Sequence, residues 1–396
     1  MQRRTPWKKY SRSAPWKKYP RGALAASVLF SIFASGVQAD AAFTIENTNF
    51  LLRQPDLFNT TKYLYDYDRL RLSGQWHEGG YFLTAIGDAV NYLGYDFVHS
   101  PDFKYADKIR PDIPFETRTE AQQYGTGALY GRIYRLYGGY ADDVQSVTAG
   151  IQKISMGVGR IWTPTDLYNP KNSYALEPDE VNGVLAVNYA YSPADLSTVS
   201  AVVSIRKDRS LKYAARYKGY LAFADIGIDL IRSDDTVMIG YEIEGNLFDT
   251  GAEWRSEGGY FKNDPLDAEF FQGIAGFDYG FENGLTWAVE ALYSSETFTY
   301  FQLIENVDNE IFNNMVQSYF YAGTTLSYDF TLAWSGSLLY IESFNDQNSR
   351  FVVPAMTYTL GDHNTFSIGA MLHNGVTASE FGAFGNSFYL EWQASY

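Results

Sequence analysis

The sequence predicts an all-β protein, one closed antiparallel transmembrane β-barrel of 18 strands, with 16 as the alternative count. Three observations carry this. Apolar and polar residues alternate with period two in many successive segments, and no convincing helical stretch interrupts them. Aromatic residues are abundant, with 33 Tyr, 27 Phe and 8 Trp beside 34 Gly and only 6 Met. Amphipathic rings belong where hydrocarbon meets water, and transmembrane barrels carry two such girdles. The chain also ends on an amphipathic strand. Phe388, Leu390, Trp392, Ala394 and Tyr396 fall on one face, and Tyr389, Glu391, Gln393 and Ser395 on the other.

Taken in order, the chain opens with Arg3, Arg4, Lys8, Lys9, Arg12, Lys17, Lys18 and Arg21, followed by an apolar run from Leu24 to Val37. Val37-Gln38-Ala39 offers the small residues that a signal peptidase needs, so residues 1–39 are expected to be a cleaved secretory signal and 40–396 a single barrel domain. The apolar run is short for a transmembrane helix. Removing 1–39 takes eight of the 31 Lys and Arg and none of the 46 Asp and Glu, which leaves 23 cations and a net charge of −23. Such a chain is a poor partner for nucleic acid, because no basic cluster can displace counterions from phosphates. With no cysteine, thiolate catalysis, Cys-ligated metals and covalent c-type haem attachment are excluded.

The strand pattern is clearest at Thr236–Gly245, where Val237, Ile239, Tyr241 and Ile243 alternate with Met238, Gly240, Glu242 and Glu244. The same alternation recurs at 198–206, 285–294, 332–340 and 365–373. Gly-, Asn-, Asp- and Pro-bearing turns are expected near 77–80, 140–143, 192–195, 223–225, 248–250, 282–284, 328–330 and 361–364, where positive or fixed φ is available. Longer polar links are expected at 93–123, 160–181, 299–314 and 374–385. An opening strand at Ala42–Leu52 pairing with the closing strand brings the count to an even 18, and one closed sheet leaves no edge to aggregate.

In its signal, strand and turn rhythm, aromatic girdles and closing strand, the chain resembles the 16- to 18-stranded porins of the Gram-negative outer membrane and, more loosely, the alginate-export-like barrels. The closing strand resembles the one that the barrel assembly machinery recognises. That resemblance assigns Phe388, Leu390, Trp392 and Tyr396 to the assembly signal. It implies residence in the outer membrane among lipid and lipopolysaccharide, with assembly machinery and small polar solutes as partners, and homo-oligomers as in porin trimers. No family substrate residue can be matched position by position.

Catalysis finds no support. His77, His99, His363 and His373 are scattered, and no nucleophile–base arrangement, phosphate loop or metal-ligand spacing occurs. Neither enzyme activity nor a metal or cofactor is therefore expected. If the apolar strand faces meet lipid, the lumen receives a basic sector of Arg69, Arg71, Arg206, Arg216 and Lys218. It also receives an acidic sector of Asp229, Glu242, Glu244, Glu253, Glu257, Asp278 and Glu290, with Arg255 among them. Two such walls facing one another would discriminate among ions and orient dipolar solutes; alternatively, the charges solvate the wall and pair across neighbouring strands.

The segment Gly157–Pro170 loses the period-two pattern and is stiffened by Pro164 and Pro170. It is expected to fold inward as a constriction loop, with Arg160 able to pair with Asp166 and with Trp162 and Tyr168 as flat surfaces. The alternative is a rigid loop on the outer rim. The leading functional expectation is a water-filled channel for small hydrophilic solutes or oligosaccharides. An exopolysaccharide export barrel and a sheath around a partner such as an electron-transfer cytochrome are the alternatives.

Overall fold

The computed structural model describes residues 40–56, 59–221, 223–344, 348–377 and 379–396. The expected signal, 1–39, lies outside them. Eighteen strands form a closed antiparallel wall in chain order. Closure is made by the opening strand, Asp40–Pro55, which pairs with Lys62–Glu78 on one side and with Ser387–Ser395 on the other. Asn49, for example, stands opposite both Asp68 and Trp392. The 18-strand expectation holds, and so does the pairing of the first and last strands.

Short turns and long loops alternate around the wall, so the two rims differ. One rim carries tight hairpins. Gly79 and Gly80, at φ 55° and 91°, join Glu78 to Tyr81 directly, a two-residue turn that needs left-handed backbone and so takes glycine without strain. The other rim carries the long connections 94–126, 153–183, 295–319 and 375–386. A further short strand, Gln122–Tyr124, flanks Gly127–Ala141 where Gln145–Gln152 is too short to cover it. Among the described residues the α-helices are short and lie in these loops: Tyr95–Val98, Pro101–Ala106 and Tyr300–Glu305. Ser100 caps the second by accepting the Phe103 N–H at 3.1 Å.

Strand parity decides which face meets lipid. Along Lys62–Glu78, Leu64, Leu70 and Leu72 are 64, 40 and 55% exposed, whereas Tyr65, Arg69 and Arg71 are 7, 5 and 8% exposed. Apolar side chains thus point outward and charged ones inward, the inversion of a soluble protein that a hydrocarbon surround requires. Trp334 packs on Tyr358 at 4.7 Å on the short-turn half of the outer wall. Outward-facing Phe388, Leu390, Trp392 and Tyr396 continue that surface.

The buried apolar contacts lie inside the barrel, and they are made by loops. Loop 94–126 brings Phe97 and Phe103 against Tyr63, Tyr65 and Phe50, with Phe97 stacked on Tyr65 at 3.7 Å. Loop 153–183 places Ile154, Met156 and Leu167 under Phe298, Ile311 and Met315 of loop 295–319. Farther round, its Ile161 and Trp162 meet Tyr321, Phe351 and Phe381. Burying these side chains, at about 25 cal/mol per Å² of apolar surface, fixes the loops against the inner wall.

Candidate functional site

The interior is organised by loop 153–183, which leaves the wall after Gln152 and runs round its inner surface before rejoining at Val184. Its first half is held by three wall carboxylates that accept backbone N–H groups. Glu242 accepts Gly157 at 2.6 Å; Glu257 accepts Val158 at 2.5 Å, Gly159 at 2.9 Å and Thr165 at 3.1 Å. Glu290 accepts Arg160, Ile161 and Trp162 at 2.9, 3.1 and 2.8 Å. These N–H groups have lost the strand ladder, and charged acceptors satisfy them more strongly than neutral ones would. The glycines follow from the same contact: a Cβ on Gly157, at φ +85°, would stand 2.5 Å from Glu257 Oε2.

Several expected residues sit elsewhere in the interaction pattern. Arg160 and Asp166 do not pair. Arg160 reaches Glu253 at 3.4 Å and Glu244 and Asp278 at 3.7 Å. Asp166 turns back on its own loop, accepting the Met156, Tyr168 and Asn169 N–H groups at 2.8–3.0 Å. Burial pushes the Asp166 carboxyl up to about 6, against the pull of those bonds. Tyr168 offers no open face, being 7% exposed inside the loop's apolar cluster. Trp162 is 8% exposed, and its indole N–H donates to Tyr174 at 3.1 Å.

The charged sectors are mixed, not opposed. Arg216 and Lys218 do not face the acidic wall across the lumen but border it, since Arg216 is paired in register with Asp229 on the next strand. Arg216 bridges to Asp229 at 3.2 Å and to Glu242, and Lys218 meets Glu242 at 3.1 Å. Arg255, fully buried, bridges to Asp278 and lies near Glu244 and Glu253 at 3.6 and 3.7 Å. Arg206 lies beyond its strand at the long-loop rim, tying Asp112, Asp235 and Glu310 together at 3.0, 3.3 and 2.5 Å.

Arg69 and Arg71 are brought together with residues that sequence reading did not single out. Arg69 contacts Glu177 at 2.7 Å and Glu180 at 3.4 Å; Arg71 contacts Asp88 and Glu180, both at 2.8 Å. Arg132 completes the group through Asp88 at 2.8 Å and Glu180 at 3.7 Å. Arg71, Arg132 and Arg135 all lie over the Tyr134 ring, at 4.0, 4.8 and 3.9 Å. Arg132 was legible in principle, because Ala128, Tyr130, Arg132 and Tyr134 share one strand face. Glu177 and Glu180 lie in an aperiodic loop and carried no such signal. Above this group, towards the long-loop rim, opens a cavity of about 850 Å³.

Fold and interior together define a barrel of the outer-membrane type whose own loops pack against its inner wall. No family model and no curated protein sequence matches the chain. Solved structures do match its fold. The chain is similar to OccAB2 of Acinetobacter baumannii, at a TM-score of 0.57 and 10% identity over 90% of this chain and 98% of that one. It is similar to OpdK of Pseudomonas aeruginosa, crystallised with vanillate, at 0.58 and 9% over 90% and 98%. OccD3 of the same organism matches at 0.57 and 11% over 91% and 92%.

Proposed function

We propose that the protein is a passive outer-membrane channel that lets small hydrophilic solutes cross through an aqueous lumen, not an enzyme. The observation that carries this reading is the inverted barrel itself, with leucines outward and a charged, hydrogen-bonded interior. An 18-stranded wall is wide enough to leave an aqueous passage, and its likeness in fold to the Occ proteins, among them the outer membrane protein OpdK, supports the same use. Liposome swelling tests it. Vesicles containing the protein should swell in small sugars at rates that fall with solute size, and swelling no faster than protein-free vesicles would refute it.

Within this reading, residues 157–168 act as a constriction, with Arg160 facing Glu244, Glu253 and Asp278 at its edge. A collar packed against the wall by three carboxylates also argues against a lumen kept free for a partner protein. Deleting Trp162–Tyr168 should raise single-channel conductance, and an unchanged value would sink the constriction.

A further inference from the structure

We propose that Glu177 and Glu180 are built-in counter-ions that keep carboxylate solutes out of the long-loop cavity, and that the cavity takes uncharged, ring-bearing solutes. The inference rests on the channel reading for its physiological meaning, while the binding it describes can be measured without conduction.

The cavity offers flat apolar surfaces from two sides. Tyr67, Tyr92, Tyr130 and Tyr174 line it on the wall and collar side, and Leu303 and Phe312 of loop 295–319 line it on the other. Rings stack favourably on such faces, and a planar solute loses little rotational freedom in doing so. Arg69 and Arg132 also line it, and exposed guanidinium groups would recruit carboxylates as bidentate partners.

Those partners are already supplied. Arg69, Arg71 and Arg132 meet three carboxylates, those of Asp88, Glu177 and Glu180, at 2.7–3.7 Å. Arg135 spends its donors on the carbonyl oxygens of Tyr134 and Val181, at 2.9 and 2.7 Å. Asp88 is wholly enclosed, but the side chains of Glu177 and Glu180 remain 20 and 23% exposed. They therefore sit beside Arg69 and Arg132 at the cavity wall and hold the guanidinium donors that an incoming carboxylate would need. Burial raises the Glu180 carboxyl, yet the Arg71 hydrogen bond and the charges of Arg69 and Arg71 outweigh it and hold the group at about 2. A carboxylate solute must expel a like charge from an equivalent site and gains nothing by the exchange. An uncharged ring faces no such competition.

The test uses titration calorimetry on full-length protein folded in detergent, with phenyl glucoside and benzoate as probes. Wild type should bind phenyl glucoside and give no measurable heat with benzoate. Glu177→Gln with Glu180→Gln should gain benzoate affinity by at least about tenfold, because one unpaired guanidinium–carboxylate contact is worth 1.4 kcal/mol or more. Glu177→Asp, which keeps the charge, should remain closed to benzoate. If the double variant gives no heat-modifiable barrel, Glu177→Gln alone decides, since Arg71 still retains Glu180. Benzoate binding by wild type as tight as phenyl glucoside binding overturns the proposal, as does a folded variant with no gain for benzoate or a wild type that binds neither probe. A silent barrel in potassium chloride would instead refute conduction, and the two failures are distinct.

Discussion

Gly157 lies against the carboxylate of Glu257, with its N–H given to Glu242 and its Cα facing Glu257 so closely that a Cβ there would stand 2.5 Å from Oε2. The contact explains why this part of a loop inside a charged barrel stays against the wall. At Glu257 and Glu290 backbone amides stand where cations would otherwise be needed, whereas Glu242 takes the Gly157 N–H in addition to Arg216 and Lys218.

Gly157→Ala should therefore loosen the collar. The positive φ costs about 1–2 kcal/mol for a residue with a Cβ, and displacing Glu257 adds to it. The check is the temperature at which heat-modifiable gel mobility is lost, which should fall relative to wild type. A Gly157→Ala barrel as heat-resistant as wild type contradicts the packing described.

Glu290→Ala removes the acceptor of three N–H groups at once. Each buried, unsatisfied donor costs about 1–3 kcal/mol, so residues 160–162 should leave the wall and the channel should show larger, noisier single-channel currents. Glu290→Gln retains one carbonyl oxygen and should fall between alanine and wild type. Equal currents in all three would mean that the loop is held by its apolar contacts alone.

Acidification should act on Glu177 before Glu180. Burial raises the Glu177 carboxyl against the attraction of Arg69 and Arg71 and with the repulsion of Glu180, whereas Glu180 is held at about 2. Lowering pH from about 7 to about 4 therefore protonates Glu177 first and leaves Arg69, Arg71 and Arg132 against Asp88 and Glu180 only. Reversal potentials in a potassium chloride gradient should shift towards anions over that range, and Glu177→Gln should abolish the shift. A shift that persists in Glu177→Gln would assign it to another group.

Tyr396 is 65% exposed on the outer wall, beside Ile45 and stacked on His363 at 5.1 Å. Tyr396→Asp should reduce the heat-modifiable fraction recovered from outer membranes several-fold, because a carboxylate at a lipid-facing position costs free energy that aromatic girdles do not. The same variant refolded in detergent separates insertion from stability. Normal recovery from membranes would remove the last strand from the assembly signal.

Much of the wall was legible before the structure. Period two survives in any half-apolar strand, so Thr236–Gly245 gave its faces correctly, and the turn residues around Gly79-Gly80 and Gly361 marked the short rim. The opening strand expected at Ala42–Leu52 extends over Asp40–Pro55. The site was less legible, for a physical reason. Strand parity tells which side chains point inward but not which neighbour they meet. Inward parity alone puts Arg216 in a wall opposite Asp229, whereas the hairpin sets the two side by side. Aperiodic segments say still less. Gly157–Pro170 announced itself through its glycines and prolines, but nothing in it showed that Glu242, Glu257 and Glu290 would bind its amides. Glu177 and Glu180 had no pattern at all.

The most direct measurement of the central claim is the conductance of the folded wild-type protein in a planar lipid bilayer in molar potassium chloride. Discrete, ohmic steps of uniform size are expected from protein whose gel mobility shows a folded barrel. Folded protein that inserts and remains silent would contradict it.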